Sequence, residues 1–222
     1  MSSIPAPTTP DPAPATRRTI DVAHLPDEVF GERATVWWGN TLMLCIETAT
    51  LAVLLVSYFY LRMNFDQWPP PKVDAYPPIA HPVPDLGVST LNVLLLIASV
   101  FAMAWTHRAA HKLNRGRVLL GLGVMFAASA LVTWLRWKEF PATKFWWNDN
   151  AYASIVWLII GMHLLYSLAG AGEFLVMGLW VMTRKLDEAH ALDVTLAGIY
   201  WYWVAGTGVV IYLVVYWGAR VL

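Results

Sequence analysis

Three ionisable side chains lie well inside apolar runs of this sequence, namely Glu47, His163 and Glu173. A charged carboxylate in the middle of a bilayer costs at least ~2.5 kcal/mol on insertion scales, so such a residue needs a partner or a neutral form. Glu47 lies about eleven residues into its apolar run, which at 1.5 Å per residue is ~16 Å, near a membrane midplane. We therefore expect Glu47 and His163 to face the interior of a helix bundle and to share hydrogen bonds, with Glu47 protonated or paired.

A purely structural role is the alternative for these three residues. A polar side chain that is buried between helices can serve only to fix how those helices pack. For Glu47 and His163 both interpretations stay open, and for Glu173 we favour the structural one.

The sequence offers little for binding a metal or a redox centre. His107 and His111 are one helical turn apart, a spacing that suits a metal, but no third ligand accompanies them and they adjoin a basic loop. Cys45 is the single cysteine, so no internal disulfide can form. Ligation of heme iron and copper needs several histidines within helices, and only His163 lies clearly within an apolar run. We predict no heme or copper in this chain.

The elements that position these residues are transmembrane helices. Of 222 residues 58% are hydrophobic and 14% are charged, where a soluble domain has about a quarter charged residues. The apolar runs are long enough to span about 30 Å of hydrocarbon. We predict an all-α, polytopic membrane helix bundle of five transmembrane helices. They are expected at 35–61, 87–109, 117–136, 152–182 and 193–219, with the third the shortest.

The remaining segments set the orientation. Residues 1–33 are rich in Pro, Thr and Ala and are expected to form a disordered cytoplasmic tail without a signal peptide, and the proline-rich loop 63–86 cannot continue a helix. With five spans, the larger share of Lys and Arg, including the dense cluster at 108–117, falls on the side of the membrane that holds the N-terminus. The positive-inside rule then predicts a cytoplasmic N-terminus and an external C-terminus.

Other residues are expected to contact lipid or neighbouring helices. Arg62, Arg108 and Arg117 can hold lipid phosphates, although snorkelling explains them equally well. The formal net charge of zero suggests no nucleic-acid partner. Tryptophans expected in an interfacial belt are Trp37, Trp38, Trp68, Trp137, Trp146 and Trp147. Glycines expected at close helix contacts are Gly121, Gly123, Gly161, Gly170, Gly172, Gly206 and Gly208.

Short motifs follow one another along the first three apolar runs. The first contains Trp-Trp-Gly at 37–39, then Glu47, then Tyr-Phe-Tyr at 58–60. The second reads Leu-Asn-Val-Leu-Leu-Leu-Ile-Ala-Ser over 91–99, and the third ends with Arg-Trp-Lys-Glu-Phe over 136–140.

The fourth and fifth runs complete the series. The fourth places Gly161, His163, Tyr166 and Gly170 in one stretch, and the fifth reads Tyr-Trp-Tyr-Trp-Val-Ala over 200–205. Together the motifs resemble subunit III of the heme-copper cytochrome c oxidases in its short, five-helix form.

The resemblance covers roughly residues 34–219 and includes several departures. The family usually has glutamine at the place of Arg136, a second histidine at Tyr166, a histidine at Tyr202 and an aspartate at Ala205. These departures indicate a divergent member whose polar network differs from the usual one. The family's internal polar pair falls on Glu47 and His163.

The resemblance implies a function as a non-catalytic subunit of a heme-copper terminal oxidase, in aerobic respiratory electron transport. Such a subunit carries no redox centre and lies beside a catalytic subunit I and a copper-bearing subunit II, which hold the heme and copper. It binds phospholipid between its helices, supports proton uptake and the durability of the catalytic subunit, and resides in the cell inner (plasma) membrane.

Two other functions are weighed against this one. The departures also suit a homologous subunit associated with a nitric oxide reductase. A small membrane transporter ranks lower, because transporters tend to show repeated halves and no such repeat is found in this sequence.

Overall fold

A computed structural model describes residues 34–72, 78–79 and 82–221, and these form the expected all-α bundle. Five helices of the described part are long and apolar enough to cross a membrane, which confirms the predicted fold class. The expected tail at 1–33 lies outside the described residues. The helices are α1 (Thr35–Arg62), α2 (Leu86–His111), α3 (Arg115–Ala142), α4 (Ala151–Thr183) and α5 (Glu188–Ile211).

Polar side chains fix where four of the helices begin. Asp85, Asn114, Asn150 and Asp187 each accept a hydrogen bond from a backbone amide in the first turn of α2, α3, α4 and α5, respectively. The amide of His190, followed by its ring, holds the pKa of Asp187 below its usual range. Each cap thus fixes the residue at which the following helix begins.

The fifth helix continues beyond Ile211 in a different winding. Residues Tyr212–Trp217 form a π-helix, and Gly218–Val221 return to the α form. The π-helix adds an extra residue to the turn and so changes which face the later side chains occupy. Tyr212 and Tyr216 stack at 5.8 Å within it.

The third helix is longer than the sequence predicted. It reaches Ala142 instead of ending at 136, and its 28 residues equal the length of α1. Arg136, at the predicted end of the span, and Glu139, beyond it, form an ion pair of 2.7 Å inside the bundle. The pair presents no net charge to the apolar side chains around it.

The helices are unequally buried. Helix α3 packs against α2 and α4, and α5 packs against α2, α4 and α1. Helix α1 lies at the edge of the bundle, where it touches only α4 and α5 among the helix pairs in substantial contact within the described residues. The indole of Trp201, wholly buried in α5, donates to Ser99 Oγ on α2 at 2.8 Å and anchors the larger core.

Close helix approach depends on some of the expected glycines. A Cβ on Gly121 would lie 2.2 Å from Thr106 Oγ1, and one on Gly170 would lie 3.0 Å from the ring of Trp201. These glycines permit the α2–α3 and α4–α5 contacts. Three others have nothing within 4 Å of that position and are not needed for packing within the described residues: Gly123, Gly172 and Gly206.

The loop after α1 is attached to the bundle at two points. Trp68 donates from Nε1 to the Tyr58 hydroxyl at 3.2 Å and packs its ring 4.6 Å from that of Tyr152. It therefore faces inward, unlike the exposed Trp38, Trp146 and Trp147 of the expected belt.

The second attachment is an ion pair. Lys72 Nζ lies 2.6 Å from Asp149 Oδ2 in the loop between α3 and α4. Partial burial raises the pKa of the Asp149 carboxyl, but hydrogen bonds from Lys72 and the Trp146 amide outweigh it and hold the pKa below its usual range.

Candidate functional site

His163 lies at the centre of the bundle. It is about 18 Å along α4 from Ala151, close to the middle of a 30 Å bilayer. Its Nε2 is 3.0 Å from the backbone oxygen of Val204, and its Nδ1 is 3.3 Å from Ser167 Oγ. Because a carbonyl oxygen only accepts, Nε2 carries the proton and donates to α5. The wholly buried imidazole thus joins α4 to α5.

A glycine makes this contact possible. Gly208 lies one turn after Val204 on α5, and a Cβ there would be 2.9 Å from His163 Nε2 and 2.6 Å from Leu96 Cδ1. Any side chain at this position would therefore displace the imidazole or its neighbour.

Glu47 does not share the hydrogen bond that the sequence led us to expect. The His163 nitrogens bond to Val204 and Ser167 instead, because the imidazole points across the glycine gap towards α5. Glu47 lies half-buried on α1, and its Oε2 is buried with no hydrogen-bond partner in the described part of the chain. Next to it, Thr48 accepts from Trp203 Nε1 at 2.8 Å, which ties α1 to α5.

Glu173 follows His163 on α4 at a distance of about 15 Å along the helix axis. It is half-buried on α4 and within electrostatic range of Asp193 on α5. Two carboxyl groups thus share this part of the interface, a pairing that requires residues from two helices and was not predicted. The structure does not bring Glu173 to His163 or Glu47 by any hydrogen bond among the described residues.

A second polar centre, which we call the Arg136 cluster, consists of Asn92, Arg136, Glu139 and Tyr216. Glu139 Oε1 accepts from Asn92 Nδ2 at 2.7 Å, and Oε2 accepts from Arg136 Nη1 at 2.7 Å and from the Tyr216 hydroxyl. All four side chains are at most 2% exposed. One carboxylate therefore holds α2, α3 and the π-helical end of α5 together.

Sequence reasoning did not identify the Arg136 cluster as a site. A signal was present, since Arg136 and Glu139 stand three residues apart, where a helix brings opposite charges together. The other two members come from distant parts of the sequence and have no local signature. Asn92 Oδ1 and Arg136 Nε have no hydrogen-bond partner in the described part of the chain, so polar capacity remains here.

The three arginines proposed for lipid do not form one site. Arg62 ends α1 and donates to the Phe65 carbonyl at 3.3 Å. Arg108 and Arg117 lie at the opposite end of the bundle, in the last turn of α2 and the first turn of α3, and both are exposed. Lipid that contacts Arg62 would therefore belong to one leaflet, and lipid that contacts Arg108 or Arg117 to the other.

His107 and His111 do converge, with their Nε2 atoms 2.7 Å apart. One imidazole donates to the other at this distance. No group of three or more His, Cys, Asp and Glu side chains suited to a metal ion occurs among the described residues.

The polar groups in the interior share one chemical role. His163 bonds across α4 and α5, and Glu139 accepts bonds from α2 and α5 as well as from its own helix. Their hydrogen bonds therefore hold helices together, while Glu47 Oε2 alone among the expected site residues keeps a buried atom without a partner.

Comparison with known proteins identifies a family and several relatives. The sequence matches the profile of the family described as cytochrome c oxidase subunit III over residues 28–220. Cytochrome c oxidase subunit 3 of Equus caballus is 27% identical over 150 residues, which cover 68% of this chain and 55% of the relative. The protein of that name from Litocranius walleri is 26% identical over 201 residues, covering 90% and 74%. The chain spans about half the length of the horse relative that it matches.

Proposed function

This chain belongs to the cytochrome c oxidase subunit III family, and on that premise we propose that it is a non-catalytic subunit of a heme-copper terminal oxidase. In this function it carries no redox centre and serves aerobic respiratory electron transport by supporting the subunit that does. The family match and the named relatives suggest an oxidase subunit for the matched region, and the proposal extends this function to the whole protein.

The observation that carries the proposal is how the bundle uses its buried polar groups. The one imidazole deep in a described span donates to a backbone carbonyl, and the buried carboxylate of Glu139 accepts from three donors. Residues committed in this way stabilise a scaffold. A scaffold of this kind suits a subunit whose work is to hold a neighbour in place.

The proposed partners are the catalytic subunit I and the copper-bearing subunit II, which would hold the heme and copper. Helix α1 supports association with another polypeptide, because it lies at the edge of the bundle and, of its side chains, buries Leu51 and Tyr58. The proposed location is the cell inner membrane, with the N-terminus in the cytoplasm and the C-terminus outside.

Support of proton uptake is proposed to involve Glu47. Its Oε2 is the buried carboxylate atom without a hydrogen-bond partner in the described residues, so its protonation is not fixed by a neighbour. Bound phospholipid is part of the same proposal, since many apolar side chains of the helices face outward.

A mild-detergent pull-down of the full chain followed by an optical spectrum tests the proposal. We expect heme bands in the co-purified complex, a copper-bearing partner, and oxygen consumption by that complex. Reduction of nitric oxide without oxygen consumption would assign the chain to a reductase instead. Stoichiometric iron or copper in the isolated chain, or solute transport by it in vesicles, would overturn the proposal.

A further inference from the structure

A continuous groove runs along the outer side of the α3–α4 contact. It consists of three cavities of about 140, 700 and 590 Å³, in order from the α2–α3 turn to the loop between α3 and α4. The first two share Phe126 and Leu175, and the second and third share Trp137. We call this the α3–α4 groove.

Its wall is open where residues are small. Gly172 and Ala130 line the middle cavity, and nothing lies within 4 Å of a Cβ placed on Gly172. The lining there is nearly all apolar, so the groove suits a hydrocarbon chain.

Aromatic rings form a cup at the end of the groove near the α3–α4 loop. Phe140 lies 5.9 Å from Trp137 and 4.7 Å from Trp157, and Trp157 lies 5.6 Å from Trp146. Tryptophan prefers the level of the lipid headgroups. The cup therefore marks the depth at which an acyl chain meets its headgroup.

Among the described residues that line the cup, the charged one is Lys144. Its backbone has φ 66°, a left-handed conformation at the end of a helix that glycine or asparagine adopts more easily. Its ammonium forms no ion pair with a carboxylate among the described residues, and Asp149 of the same loop binds Lys72 and the Trp146 amide. A cation thus stands at the mouth of an apolar groove without a counter-charge.

We propose that the α3–α4 groove binds one anionic phospholipid, with an acyl chain along the groove and the phosphate at Lys144. This inference deepens the lipid binding in the proposed function by naming the site and the headgroup charge. A partner helix fits the groove poorly, because a helix is about 10–12 Å wide and the cavity next to Gly178 measures only about 140 Å³. A helix would also leave the Lys144 charge unpaired against an apolar surface.

The test measures how much phosphatidylglycerol the purified full chain retains, by native mass spectrometry, with phosphatidylcholine as the neutral comparison. Lys144→Gly should lower phosphatidylglycerol retention about fivefold and leave phosphatidylcholine unchanged, as expected for the loss of one basic group near a phosphate. Lys144→Arg should keep it. Lys185→Gly is the matched control, because Lys185 is exposed at the opposite end of α4 and should leave retention unchanged.

A misfolded variant would not imitate this result. Glycine relieves the left-handed backbone at position 144, so Lys144→Gly should unfold at the same temperature as the parent chain or higher. Gly172→Leu should fill the groove and reduce retention of both lipids, whereas Gly206→Leu, also in open space but outside the groove, should not.

Equal phosphatidylglycerol retention by Lys144→Gly and the parent chain would overturn the proposal. So would a crosslink from position 172 to another subunit in a complex free of lipid, which would place a partner helix in the groove. Lipid retention is measured on the purified chain alone. If the pull-down showed that the chain does not belong to an oxidase, the retention result would still stand.

Discussion

His163 Nε2 lies 2.9 Å from the point that a Cβ on Gly208 would occupy. The absence of a side chain at Gly208 therefore lets the imidazole reach the carbonyl of Val204 at 3.0 Å, one turn earlier on the same helix. The space left by Gly208 on α5 and the imidazole of His163 on α4 fit each other, so the hydrogen bond to Val204 depends on both residues.

Gly208→Ala should consequently destabilise the bundle although alanine favours helix. The new methyl would meet His163 and Leu96 below normal contact distance, and overpacking of this kind costs about 1–3 kcal/mol. Thermal unfolding in detergent measures the change. Gly206→Ala is the control, since its methyl enters open space and should leave the midpoint equal or higher.

Glu139→Gln should cost about 3–5 kcal/mol, because it leaves the buried Arg136 guanidinium without a counter-charge. The double variant Arg136→Gln, Glu139→Gln removes both charges and should recover much of the loss. A double-mutant cycle on unfolding free energies gives the coupling. Purely additive effects would show that the two side chains do not depend on each other.

Tyr216→Phe should destabilise more than Tyr212→Phe. The Tyr216 hydroxyl donates to the Glu139 carboxylate, and a hydrogen bond to a charged group contributes about 1.5–3 kcal/mol. Tyr212 instead bonds to Thr90 at 2.7 Å, a neutral pair that contributes about 0.5–1.5 kcal/mol. The unfolding midpoints of the two variants, measured in the same detergent, give the order. A larger loss for Tyr212→Phe would contradict a charged Glu139 as the acceptor of the Tyr216 hydroxyl.

Glu47→Gln should leave the stability of the chain within about 0.5 kcal/mol, because Oε2 has no hydrogen-bond partner to lose in the described residues. Any consequence should then appear in oxygen consumption by the assembled complex. Unfolding and turnover measured on the same preparation separate the two. A large loss of stability with normal turnover would make Glu47 a packing residue.

Acid should break one of the two attachments of the loop after α1, the ion pair between Lys72 and Asp149. The pKa of Asp149 lies below its unfolded value of 3.8, so the ion pair with Lys72 contributes its full stability above that pH and loses it as pH falls through the folded pKa. Proteolysis of the loop by an acid-active protease should rise at that point. Asp149→Asn should be cleaved readily at every pH tested.

The spans were predictable because hydrophobic length is a local property of the sequence. The end of α3 was not, since Arg136 counts as a membrane boundary unless its partner at Glu139 is recognised. Pairing within a helix cancels the charge that hydropathy penalises.

The site was predictable only in part. His163 and Glu47 stood out as polar residues in apolar runs, but the acceptor of His163 is a backbone oxygen that any residue at 204 would provide. Its position depends on how α4 and α5 cross, which no short stretch of sequence encodes. The same holds for Asn92 and Tyr216, whose distance in sequence from Glu139 conceals their contact.

The π-helix at Tyr212–Trp217 divides the last membrane helix into two parts that make different contacts. Upstream of it α5 serves the His163 contact, and within it Tyr216 serves Glu139. Deleting a single residue from this stretch would restore ordinary winding and rotate the terminal turns by about 100° relative to the rest. Insertions and deletions in this stretch should therefore be tolerated less well than substitutions.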